Sequence, residues 1–247
     1  MRSFYTLYPL TILLALLTCS LNAAGDEITA KDRYRLAQQV ETLLQRENTE
    51  VAIIARVGRP LEELPAGIHY THTAFVLRTA AGYEAYNLYQ QEEQPELSKL
   101  EKGSLEEFFS EVHHLKAGIT IPEAAFQHQL KRGIQSPLFE QLHNSRYSVI
   151  ANPFDHTYQN CTEHMLDLIF AIHYSLEQAP EIKRQQQKSF TPQLIHLPWW
   201  ELWLGSLLEA DVALSDHQHQ VATTTYTTIA NFLHGLGLVQ KQLTVTP

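Results

Sequence analysis

Cys161 is the side chain in this sequence whose type and local pattern point most directly to chemistry. The segment Asn160-Cys161-Thr162-Glu163 has the pattern of a helix start, with Asn160 as N-cap, Cys161 as the first helical residue and Glu163 reaching back to the cap. At a helix N-terminus the dipole and the free backbone N–H groups stabilise negative charge and provide donors for a developing oxyanion. We therefore predict that Cys161 is a nucleophile with a thiol pKa below the ordinary value.

A thiolate nucleophile needs an imidazole that shares its proton and later protonates the leaving group. His72 begins the apolar run His72–Leu77, which would hold its ring on a rigid strand. The next strand, Tyr83–Tyr89, offers Asn87, an amide that must find hydrogen bonds in a half-buried strand. We predict that His72 faces Cys161 as its base and that Asn87 or a near neighbour orients the ring. A structural histidine is the alternative for His72, and the pairing with Cys161 favours the base.

The elements that would position these residues alternate between helical and strand patterns, which predicts an α+β fold. The turn at Ala81-Gly82 joins the two strands above into a hairpin, and Ser104 with Glu107 forms a capping box that opens a helix through Val112. The remaining predictions are helices over Ala30–Glu47, from Pro122 towards Gly133, from Cys161 to about Ser175 and over Thr228–His234, and strands over Val51–Val57, Tyr147–Ile150 and Val221–Tyr226.

The order of His strand, polar strand and Asn-Cys-x-Glu-His at a helix start resembles the circularly permuted papain-like superfamily. That superfamily includes lecithin retinol acyltransferase-like proteins and relatives of the NlpC cell-wall peptidases. The pieces Tyr86–Gln90, Asn152–Phe154 and Tyr158–Cys161 look like the bacterial secreted family called domain of unknown function 2145. The resemblance implies an antiparallel sheet packed against the cysteine helix, and attack by Cys on an amide or ester carbonyl. The chain departs from the superfamily at the third site position, where Asn87 stands instead of the more common His or acidic residue.

The N-terminal segment predicts export. Arg2, the apolar run Leu10–Leu17 and the small residues Ala23 and Ala24 have the order of a signal peptide over residues 1–24. Lipidation at Cys19 is the alternative to cleavage. Residues 25–247 lack a linker or a repeat, which predicts one domain that holds a single cysteine, Cys161.

The net charge of −9 and the lack of basic clusters argue against nucleic acid as a partner. The run Leu197–Leu204 is the most hydrophobic after the leader, but it is too short for a membrane span and predicts core packing or a groove wall. The resemblance to the papain-like superfamily, together with the predicted export, implies a peptide, glycan or lipid of the cell envelope as partner. The oligomeric state stays open.

Other site chemistries find little support in the sequence. Cys161 and His164 could be half of a metal site, but no second ligand pair has the matching spacing, so neither a metal nor a cofactor is expected. Three functions remain open: a secreted cysteine hydrolase or acyltransferase, a papain-like module that only binds an envelope ligand, and a structural envelope protein with a buried thiol.

Overall fold

The computed structural model describes residues 28–196, 211–218 and 220–247 as a mixed α+β fold. In this part of the chain the helices are α1 (Ala30–Arg46), α2 (Leu105–Phe108), α3 (Ala124–Ile134), α4 (Leu138–Gln141), α5 (Cys161–Tyr174), α6 (Ala179–Ser189) and α7 (Tyr226–Gly235). The strands are β1 (Val51–Val57), β2 (His72–Thr79), β3 (Gly82–Gln90), β4 (Ser98–Ser104), β5 (His114–Pro122), β6 (Gln193–Ile195), β7 (Val221–Thr223) and β8 (Val239–Val245).

Six strands form one antiparallel sheet in the order β4-β3-β2-β1-β5-β8, and β6 pairs with β7 separately. Successive side chains of a strand point to opposite faces, so β1 and β2 contribute residues to two hydrophobic cores, one on each face of the sheet. One face, which includes Ile53 and Phe75, packs against α5 together with residues of α3 and α7. The other face, which includes Ile54 and Val76, is covered by α1 and α2.

The ladder between β2 and β3 ends before either strand does. Its pairs run from Thr79 opposite Gly82 to Phe75 opposite Tyr86. Beyond that point β2 continues to His72 on β1, and β3 continues to Gln90 on β4. The backbone of residues 72–74 therefore has no ladder partner on β3, and the sheet is open at this end.

Helix α5 begins at Cys161, at this open end of the sheet, and its N-cap is well formed. Asn160 has an extended backbone, and its Oδ1 accepts a hydrogen bond from the Glu163 N–H at 2.9 Å. The residues from Cys161 to Ala171 are all buried, so the helix is held by packing on every side. Ser175 ends the helix in a left-handed conformation with φ of 55°.

The structure confirms several of the sequence-predicted elements, including the first helix, the hairpin with its turn, and the helix that starts at Cys161. The capping box of Ser104 and Glu107 forms, but its helix ends at Phe108 rather than Val112. Pro122 ends β5 instead of opening a helix, and Tyr147 makes only an isolated bridge to Gln159 rather than a strand.

Two predictions lie outside the described residues: the leader at residues 1–24 and the apolar run Leu197–Leu204. In the described ranges, no helix has the length and apolar character that crossing a membrane requires.

Candidate active site

A cleft of about 1060 Å³ lies at the open end of the sheet and contains the predicted site residues. Cys161, His72 and Asn87 all line it, as do Thr71, which immediately precedes β2, and Leu88 on β3. The structure thus brings the three predicted residues to one cavity. Their roles stay predictions.

The Cys161 side chain is buried at the start of α5. Burial raises the pKa of its thiol, although the backbone N–H groups of Thr73 and Thr162 donate to the sulfur and act in the opposite direction. The Thr73 hydroxyl also lies near the sulfur and lowers the pKa of the thiol, but it makes no hydrogen bond of good geometry. The expectation of a lowered thiol pKa is therefore wrong, because desolvation outweighs the helix N-terminus.

His72 and Asn87 form the hydrogen bond that the sequence predicted. His72 Nε2 lies 2.8 Å from Asn87 Oδ1. The Asn87 Nδ2 donates to the Glu101 carbonyl oxygen at 3.4 Å, which fixes the amide with its oxygen towards the ring. Since an amide oxygen only accepts, Nε2 carries the proton and Nδ1 keeps the lone pair that a base needs.

The orientation of the His72 ring is fixed by aromatic neighbours. It stacks on Tyr89, with centroids 4.6 Å apart, and its centroid lies 5.6 Å from that of Phe108. Phe108 belongs to α2, so the imidazole lies on the face of β2 opposite to the face on which Phe75 meets α5. The sequence predicted that His72 faces Cys161. Instead, the imidazole of His72 and the thiol of Cys161 both line the cleft at the point where β2 begins.

The environment of His72 keeps its imidazole neutral. Burial and the nearby Arg56 guanidinium lower the pKa of His72 to about 3, and the hydrogen bond to Asn87 opposes them only in part. Cys161 and His72 therefore rest as a thiol and a neutral imidazole near pH 7.

Arg56 is a part of this site that our sequence reasoning missed. It pairs with His72 across β1 and β2, and it is 4% exposed. Its guanidinium carbon lies 5.4 Å from the Phe108 ring centroid and 6.0 Å from that of Tyr89. A charged residue inside the apolar strand Val51–Val57 was the available signal.

A buried ionic network fixes the first turns of α5. Lys183 of α6 contacts the Glu163 Oε1 at 2.5 Å and the Asp167 Oδ1 at 2.8 Å. Gln186 and Gln159 donate to the two oxygens of Asp167. Glu163 is thus engaged with Lys183, and the predicted contact back to Asn160 does not form. The network holds the helix start, and hence Cys161, through side chains that are nearly inaccessible to solvent.

Metal ligation finds no geometric support in the part of the chain that the structure describes. No group of three or more His, Cys, Asp or Glu side chains there could hold an ion. His164, which with Cys161 suggested half of a site, instead contacts the Phe139 carbonyl oxygen through Nε2 at 2.8 Å.

Comparison with known proteins supports the family part of the resemblance. Residues 43–233 match the family described as "Uncharacterized protein conserved in bacteria (DUF2145)". The chain belongs to this family. No curated protein and no solved structure matches it. The match spans both β2 and α5, so all three predicted site residues lie inside the region shared with the family.

Proposed function

We propose that this DUF2145 protein is a secreted cysteine hydrolase or acyltransferase that acts on an amide or ester bond. Cys161 is the nucleophile, His72 the base and Asn87 the residue that orients the base. The observation that carries the proposal is the 2.8 Å contact of His72 Nε2 with Asn87 Oδ1, in the same cleft as a cysteine at a helix N-terminus.

The proposed first step is attack of Cys161 Sγ on the substrate carbonyl carbon while His72 Nδ1 takes the thiol proton. The carbonyl oxygen becomes an oxyanion, and the N–H group of Cys161 can stabilise it because the helix provides no acceptor for this group. Collapse of this intermediate breaks the bond to the leaving amine or alcohol, which takes the proton from His72. A thioester on Cys161 remains.

The second step transfers the acyl group to water or to another acceptor. The acceptor gives its proton to His72 and attacks the thioester carbonyl, and the returning proton restores the thiol. The raised thiol pKa and the His72 pKa of about 3 favour proton transfer during attack over a preformed ion pair.

Two further parts of the proposal come from the sequence. The predicted leader favours the cell envelope as the location, with an envelope peptide, glycan or lipid as substrate. The order of the His strand before the cysteine helix supports a circularly permuted papain-like fold, and the antiparallel sheet against α5 is consistent with it.

Trapping the thioester tests this proposal without knowledge of the natural substrate. The protein is mixed with p-nitrophenyl acetate, and intact mass with peptide mapping locates any added acetyl group. We expect acetylation of Cys161, absent in Cys161→Ala and strongly slowed in His72→Gln. His143→Gln is a matched control because His143 also lies half-buried, hydrogen-bonded to Ser98.

The results separate the candidate functions. Acetylation at Cys161 that depends on His72 supports a catalytic pair. Acetylation of Cys161 that does not depend on His72 would favour the module that only binds an envelope ligand. An unmodified Cys161 in folded protein would contradict the enzyme and favour the structural protein with a buried thiol.

A further inference from the structure

Arg56 has more hydrogen-bonding capacity than the protein uses. Its Nη2 donates to the Glu111 Oε2 at 2.6 Å, but Nε and Nη1 are buried and have no partner. The rings of Phe108 and Tyr89 flank the guanidinium and offer it no acceptor of this strength. A buried cation with unused donors is costly, so its presence in a cleft needs a reason.

The one ion pair of Arg56 in the described ranges is unequal in its burial. The Arg56 side chain is 5% exposed, whereas that of Glu111 is 69% exposed. Glu111 lies between α2 and β5, outside both elements, and it lines the mouth of the cleft. A carboxylate on such an exposed side chain is bound weakly and can leave the guanidinium at little cost.

We propose that Arg56 binds a carboxylate group of the substrate next to the bond that Cys161 attacks. The planar guanidinium matches a carboxylate in two parallel hydrogen bonds, and Glu111 already places a carboxylate on one of its nitrogens. The substrate carboxylate replaces Glu111, which swings into solvent. As a substrate assignment the proposal rests on the proposed function, but the anion site itself does not.

The location of Arg56 explains why the bound group would lie close to the reacting bond. Arg56 lies opposite His72 in the β1–β2 ladder, and its charge reaches both His72 and Cys161, since it lowers the pKa of each. An acyl donor held by Arg56 at one end presents its carbonyl to the same open end of the sheet. Peptides with a free carboxylate beside the scissile bond have this chemistry.

Thiol-directed haloacids test the site directly. Iodoacetate and 3-iodopropionate carry a carboxylate, and iodoacetamide and 3-iodopropionamide are their neutral counterparts. We expect the ratio of acid to amide alkylation rates at Cys161 to exceed that of free N-acetylcysteine by roughly tenfold for at least one pair, a change worth about 1.4 kcal/mol. Raising the salt concentration should reduce the ratio only partly, because the site is buried.

Variants identify the residue responsible. Arg56→Met, which preserves length, should reduce the ratio to that of the free thiol. Glu111→Gln should raise it, because the competing carboxylate is gone, and this variant changes an exposed residue and should fold. Arg59→Gln is the matched control: it removes another cation that lines the same cleft and should leave the ratio unchanged.

A ratio equal to that of the free thiol in folded wild type and unchanged in Glu111→Gln would overturn the proposal. An equal loss of the ratio in Arg59→Gln and Arg56→Met would also overturn it, because only the general field of the cleft would then act. These ratios are independent of His72. A normal Arg56 effect with no acetylation of Cys161 would leave the anion site standing and reject the proposed function.

Discussion

The Oδ1 of Asn87 lies 2.8 Å from the Nε2 of His72, and the amide is itself held by the Glu101 carbonyl oxygen. This chain of contacts assigns the proton to Nε2 and leaves Nδ1 as the basic atom. It also predicts what happens when the amide is changed, since Asn87 acts on the ring rather than on the substrate.

Replacing Asn87 by Asp should raise the pKa of His72 from about 3 towards neutral, because a carboxylate stabilises the imidazolium. Asn87→Ala should lower the pKa of His72 further, because the hydrogen bond that raises it is lost. Cys161 acetylation in Asn87→Ala should fall by roughly tenfold through lost orientation of the ring. NMR titration of the His72 ring protons measures both shifts. Equal pKa values in the three proteins would contradict the assigned contact.

Lys183 should be far more important for stability than its neighbour Arg184. Lys183→Met leaves Glu163 and Asp167 buried without their cation, which should cost about 3–5 kcal/mol of unfolding free energy. Arg184→Met removes an exposed pair with Glu181 and should change the unfolding free energy by less than about 1 kcal/mol. Urea denaturation of the two variants gives the comparison. Similar losses would mean that the buried network does not hold α5.

Protonation of His164 should lower the free energy of unfolding at mildly acidic pH. Burial lowers the pKa of His164 to about 4, from an ordinary value of 6.5. The unfolded chain therefore binds the proton first, so the contribution of His164 is complete above pH 6.5 and is lost as the pH falls towards 4.

His164→Gln keeps a donor for the Phe139 carbonyl oxygen but cannot titrate. Between pH 6.5 and 4 its unfolding free energy should fall less than that of the wild type, by up to about 3 kcal/mol. Denaturant titrations at several pH values test this. Parallel pH profiles for the two proteins would show that His164 does not titrate differently on folding.

Gly118 should not tolerate a methyl group. A Cβ at this position of β5 would lie 2.7 Å from a ring carbon of Tyr226 and 2.9 Å from one of Tyr70, and these rings pack edge to face. Gly118→Ala should cost about 1–3 kcal/mol by overpacking. Gly235→Ala, at the end of α7 with open space around it, is the control and should be neutral or stabilising. Thermal unfolding of both variants decides; equal melting temperatures would contradict the packing.

The sequence could predict those parts of the site that depend on short, local residue patterns. Asn160 before Cys161 indicates a helix start, and the strand pattern of Tyr83–Tyr89 predicts that Asn87 lies on a strand. The opening between β2 and β3 depends on where a ladder stops, and that is set by pairing partners distant in the chain.

The same limit explains the missed elements and the wrong pKa direction. β5 and β8 pair with each other across more than a hundred residues, and β8 is too polar to read as a buried strand. The thiol pKa depends on how completely the fold desolvates the sulfur, whereas the sequence showed only the helix start that opposes this effect. Arg56 was visible as a charge in an apolar strand, but its neighbours were not.

The pH profile of iodoacetamide labelling at Cys161 tests the central claim most directly. If His72 takes the thiol proton internally, the wild-type rate should be flat from about pH 5 to 8, fall as His72 protonates near pH 3, and rise when the thiol ionises. In His72→Gln the flat region should disappear, and the rate should drop by about tenfold for each pH unit below the thiol pKa. His143→Gln should match the wild type. Superimposable profiles for wild type and His72→Gln, with both proteins folded, would show that His72 and Cys161 do not act together and would contradict the proposed function.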